Sequence, residues 1–115
     1  MKNHVMNLTP SPLEKIRSGI KTIELRLYDE KRQAVSIGDT ITFVNTEKAD
    51  DTVDVKVEEL YIFSSFDELY RELPLTECGY TEKNVDTASP RDMEKYYSAE
   101  KQAMYGVVGI RISLL

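Results

Sequence analysis

Apolar positions along the chain change their spacing several times, and each change marks an element. From Thr22 to Tyr28 they recur every second residue. Ile23, Leu25 and Leu27 fall on one side and Thr22, Glu24 and Arg26 on the other, the pattern of a strand. Ile41 and Phe43 alternate with Thr40 and Thr42 after a Gly38-Asp39 turn, predicting a second strand. In the run TVDVKVEELYIF, valines alternate with charged residues for three repeats, a third strand. Near the C-terminus, YGVVGIRISLL places Val108, Ile110, Ile112 and Leu114 on one face of a fourth.

Helical spacing appears between these runs. Ser11-Pro12-Leu13-Glu14 reads as a capping box with proline at the first helical position, and Gly19 suits the turn that ends the helix. Ser65 and Glu68 form a second box, opening a helix that buries Phe66, Leu69 and Tyr70 and stops before Pro74. Ser89-Pro90-Arg91-Asp92 is a third start, with Met93, Tyr96 and Tyr97 at helical spacing. Residues 29–35, 45–51 and 74–88 read as polar connections or loop, and the N-terminus around His4 as a frayed end. Hairpins with helices in their connections predict an α+β domain whose small, twisted sheet curls toward a barrel.

Composition narrows the function. The 115 residues are expected to form one domain, 1–115, and 41% hydrophobic against 30% charged residues is ordinary for a globular fold. The single cysteine, Cys78, excludes an internal disulfide and points to a reducing, cytoplasmic setting. No apolar run approaches the roughly 20 residues of a bilayer span, so no membrane partner is expected. A net charge of -5 argues against strong duplex DNA binding, which needs clustered cations. One local excess stands out all the same: Lys15, Arg17, Lys21, Arg26, Lys31 and Arg32 crowd the first third of the chain.

Several chemistries have no residues to support them. His4 is the only histidine and Cys78 has no partner thiol, so no metal site is expected. Ser-His and Cys-His catalysis lack their base. No phosphate loop or dinucleotide fingerprint occurs, and no cofactor is expected. Lys21, Glu24 and Arg26 by themselves suit a solvated strand face with paired ions. Two details turn them toward a site. They follow a helix-ending glycine, where backbone can approach a ligand, and the polar face of the first strand of a curled sheet lines a cleft.

Gly19, Lys21, Glu24 and Arg26 fit the pattern G-x-K-x-x-E-x-R. With Gly38-Asp39-x-Ile41-x-Phe43 and the closing Tyr105-Gly106-Val107-Val108-Gly109-Ile110, the chain resembles the ASCH domain family from about residue 6 to 112. The resemblance implies a small, partly open PUA-like β-barrel with flanking short helices and a cleft at one mouth. It further implies RNA or a nucleoside- or nucleotide-like ligand, held by Lys21, Thr22, Glu24, Arg26 and Tyr105. An alternative is a small hydrolase: relatives that hydrolyse acetylated cytidine use a lysine, a threonine nucleophile and a later glutamate. Lys21 matches that lysine, Glu24 occupies the nucleophile position, and Glu72 and Glu77 are candidates for the later acid. Lys21 and Glu24 are then the catalytic candidates. Ribonuclease chemistry and a protein-interaction module are further readings.

Overall fold

The computed structural model describes residues 1–115. Its strands are β1 (Asn3–Leu8), β2 (Ile23–Leu27), β3 (Thr40–Asn45), β4 (Lys48–Phe63) and β5 (Val107–Leu114). Four α-helices accompany them: α1 (Pro10–Arg17), α2 (Glu30–Gln33), α3 (Phe66–Glu72) and α4 (Ala99–Tyr105). Short 3-10 helices cover Leu75–Glu77, Val85–Thr87 and Pro90–Lys95. No helix is long and apolar enough to cross a membrane. The strands make one five-stranded sheet in the order β1-β3-β4-β5-β2. It curls into a half-barrel, the α+β, PUA-like architecture expected from the sequence.

The long β4 explains the curl. Its first half pairs antiparallel with β3 and its second half with β5, with an irregularity between Val57 and Glu59 where it passes from one to the other. Met6, Leu13, Ile16, Ile41, Phe43, Val55, Val57 and Ile110 pack on the concave side, with α1 as a plug. On the other side Ile23, Leu25 and Val107 pack against Phe66 and Leu69 of α3. Both faces of the β2–β5 end are therefore covered, and all five residues of β2 are buried, the charged ones included.

Several sequence expectations are corrected. The N-terminus is a strand, not a frayed end: β1 lies parallel to β3, with Met6 opposite Phe43 and 1% exposed. His4 Nε2 lies 2.8 Å from Asp39 Oδ2, and Asp39 also accepts from the amides of Ser36 and Lys2. These bonds hold the Asp39 carboxyl below the usual range, with the His4 contact the largest contributor. α1 starts at Pro10 behind Thr9, so Ser11 lies inside its first turn and its capping box does not form. Proline needs no donor there, and Pro10 is preset for the first helical position. Residues 30–33 are a short helix, where a loop is expected. Most of the polar run 45–51 is strand rather than loop: Asn45 closes β3 and pairs with Lys48, where β4 begins.

The Ser65 cap forms as read, its side chain accepting from Glu68 N. At Ser89 both halves of the capping box form, but the turn that follows is 3-10. The final strand begins at Val107; Tyr105 closes α4, an element whose Ser98 cap lacks the acidic partner of a box. Gly106 ends that helix at φ +73, and a Cβ there would lie 2.8 Å from the Phe63 carbonyl oxygen. Gly106→Ala combines a left-handed penalty with a backbone clash. It is expected to lower stability by about 2 kcal/mol or more, read from the urea midpoint at unchanged slope.

Candidate functional site: a charged cleft at the open seam

The two ends of the sheet order, β1 and β2, do not pair with each other. A side chain spans the gap between them. Arg26 of β2 donates from Nη2 to the Asn7 carbonyl of β1 at 2.8 Å, and from Nε to Glu24 Oε2 at 2.7 Å. Its guanidinium carbon lies 6.0 Å from the centre of the Phe43 ring. On the far side of Glu24, Lys21 Nζ sits 2.6 Å from Oε1. One carboxylate thus holds two cations, each oxygen taking one of them.

The strand pleat and the chain entry make this arrangement. Glu24 stands opposite Ile110 and Arg26 opposite Val108, so both side chains share the concave face with the barrel core. Lys21 precedes the strand and its stem is covered by backbone. Gly79, at φ +113, lies so close that a Cβ there would touch Lys21 Cδ at 3.5 Å. Lys15 of α1 donates to the Gly79 carbonyl at 2.9 Å, and the Lys21 amide donates to the Lys15 carbonyl at 2.9 Å. Helix α1, the mouth of β2 and the 75–79 turn are thereby stitched around one lysine.

Burial would raise the Glu24 carboxyl, but the charges of Lys21 and Arg26, with the bonds they donate, outweigh it and hold it at about 2. Arg26 is likewise kept charged: burial lowers it, and Glu24 together with the Tyr97 hydroxyl raises it by more. Beside Arg26 stands the Tyr97 hydroxyl, whose own titration burial pushes up.

These residues open onto a cleft of about 700 Å³. Its charged lining is four cations (Lys15, Lys21, Arg26 and Lys95) against two carboxylates, Glu24 and Asp92. Positive charge is concentrated here in a chain whose net charge is -5. The opposite wall is aromatic, with Tyr70, Tyr80, Tyr96 and Tyr97. Tyr80 donates to Asp92 at 2.7 Å, and its oxygen lies 2.7 Å from that of Tyr70, a chain that fixes this wall. Tyr97 stacks on Phe66 while Tyr96 is 66% exposed, so one ring is anchored and its neighbour is free at the rim. Cys78, whose thiol burial pushes up to about 12, is a small packed wall residue.

Of the residues expected at the site, Lys21, Glu24 and Arg26 come together in the cleft. Thr22 does not: its hydroxyl donates to Glu77 at 2.9 Å, and Glu77 also accepts from Arg111 at 2.9 Å. That network lies outside the cleft and pins the 75–77 turn to the sheet. Tyr105 is half-buried at the end of α4 and does not line the cleft. Glu72 is an exposed acid. Glu24 is 2% exposed and has both oxygens engaged, Oε1 by Lys21 and Oε2 by Arg26. Lys95 and Tyr80 carry no sequence signal, Lys15 is marked only by the cationic excess of the first third of the chain, and Tyr70 reads as a core ring of its helix.

The family model for the ASCH domain matches residues 6–115. Among solved structures the fold is similar to hypothetical protein PH0355, with 33% identity, TM-score 0.79 and complete coverage of both chains. It is also similar to protein PF0455 from Pyrococcus furiosus, at 32% identity and TM-score 0.75, covering 98% of this chain and 97% of that one. The ASCH protein of Zymomonas mobilis shares the fold at 17% identity and TM-score 0.65, over 96% of this chain and 66% of that one. A comparison with curated proteins gives no match. The match over nearly the whole length accords with where the fold places the motif residues, and the chain belongs to the ASCH domain family.

Proposed function

We propose that the cleft binds single-stranded RNA or a nucleotide, with phosphate near Lys21, Lys15 and Lys95 and a base against the tyrosine wall. The observation that carries this reading is the concentration of cations in one cleft of an otherwise acidic protein. A duplex is too wide for such a recess, whereas a base splayed out of a single strand can enter and stack on tyrosine. The volume of about 700 Å³ falls within the range of small-molecule sites, about 300–1,000 Å³. Arg26 offers a rigid fork and Lys21 a compact charge, and Glu24 keeps both aimed without neutralising the pair. The single, buried Cys78 suits a reducing, cytoplasmic setting for such a protein.

The test is titration calorimetry with the four ribonucleoside 5′-monophosphates and a short single-stranded oligoribonucleotide. Saturable binding that weakens as salt rises is expected. Lys21→Met, checked for a retained melting transition, is expected to lose at least tenfold in affinity, since a charge-assisted contact contributes about 1.5–3 kcal/mol. Absence of binding by all five ligands, or an undiminished affinity in Lys21→Met, overturns the reading.

A further inference from the structure

Glu24, Leu25 and Arg26 all line the same cleft, although side chains of successive strand residues point to opposite faces. Leu25 packs on the α3 side with Phe66, while Glu24 and Arg26 lie on the concave side. A cleft can touch both faces of one strand only by running around that strand's free edge. β2 has such an edge: it is last in the sheet order, with β5 on one side only.

The ladder shows which backbone groups point outward. Ile112 N donates to Thr22 O at 2.9 Å and Tyr28 N to Gly106 O at 3.0 Å, so the even-numbered residues of β2 face β5. Ile23, Leu25 and Leu27 therefore turn N–H and C=O away from the sheet. Of these three, Leu25 alone lines the cleft. The residue is 7% exposed, and with β5 on the other side of β2 no strand pairs with its outward amide and carbonyl. An unpaired donor and acceptor in a partly enclosed place call for a partner.

We propose that this edge reads a nucleobase through Leu25 N–H and C=O, an inference that rests on nucleotide binding in the cleft. Every standard base carries a donor and an acceptor side by side on one edge, the complement of what one strand residue presents. An added peptide strand is the other known partner of a sheet edge, but it needs several consecutive residues, and of the three that face outward only Leu25 lines the cleft. A base bonded to Leu25 continues the plane of the sheet. It then lies near Arg26, Glu24 and Met93, with the Tyr97 hydroxyl next to Arg26, all of which line the cleft. The backbone pair recognises that a base is present; the side chains around it choose which.

The test replaces the Leu25 amide with an ester by incorporating the α-hydroxy acid of leucine, which removes the N–H and keeps the side chain. The ester also weakens the Glu24 carbonyl as an acceptor from β5, so binding is compared at a temperature where both proteins are fully folded. Affinity for uridine and adenosine 5′-monophosphates is expected to fall roughly tenfold, while that for ribose 5-phosphate stays unchanged. Equal nucleotide affinity in amide and ester proteins overturns the backbone reading and leaves nucleotide binding standing. No nucleotide binding by the unmodified protein overturns both.

Discussion

Glu24→Gln is expected to lower the unfolding free energy by about 3–5 kcal/mol, the range for breaking a buried ion pair by removing one partner. Both carboxylate oxygens are acceptors, for Lys21 at 2.6 Å and for Arg26 at 2.7 Å. A glutamine keeps one acceptor and puts an NH2 against a cation, leaving two positive charges close together where little water reaches. Stabilities of such domains are about 5–15 kcal/mol, so the variant sits near the edge of folding. The same carboxylate sets a pH dependence. Its folded pKa, about 2, lies below the ordinary 4.5, so its contribution is full above 4.5 and is lost as pH falls from there toward 2. Urea unfolding at pH 7 and at pH 3 is expected to show a wide gap between native protein and variant at the first and a narrower one at the second. A gap independent of pH contradicts the assignment of charge to Glu24.

Arg26→Lys is the second large effect, and it separates charge from geometry. Lysine keeps the positive charge but is a single point donor, so it can reach Glu24 or the Asn7 carbonyl and not both. The link across the open seam is then broken. A loss of about 2 kcal/mol in stability is expected, with faster amide exchange concentrated in β1. Nucleotide affinity is expected to drop at least tenfold, because the planar fork is lost as well. Unchanged exchange in β1 would mean that the bridge contributes nothing to holding the two edge strands.

β1 escapes a sequence reading because Val5 and Met6 are adjacent rather than alternating, and the strand is held by parallel pairing with β3, a partner far along the chain. β2, β3, the middle of β4 and most of β5 are legible because the pleat dictates alternation there. The motif charges were legible in kind but not in role. Pattern alone puts Thr22 with Glu24 and Arg26, yet Thr22 precedes the regular strand and its hydroxyl turns to Glu77. Tyr105 looks like the entry to the last strand and is instead the last residue of α4, set apart by the turn at Gly106. Glu24 reads as a solvated, ion-paired acid or as a group that meets a ligand, and the fold shows it buried with Lys21 and Arg26 on its two oxygens. The aromatic wall arises from packing of α3 against the 75–95 region, which no local spacing encodes.

Nothing tests the central claim more directly than a nitrogen-15 amide spectrum of the native protein during titration with a short single-stranded oligoribonucleotide. The expected shifts cluster on Asn7, Lys21 to Arg26, Gly79 and Tyr97, around the seam between β1 and β2. Shifts confined to the acidic β3–β4 hairpin, around Asp50, Asp51 and Asp54, or no shifts at saturating oligonucleotide, would contradict it.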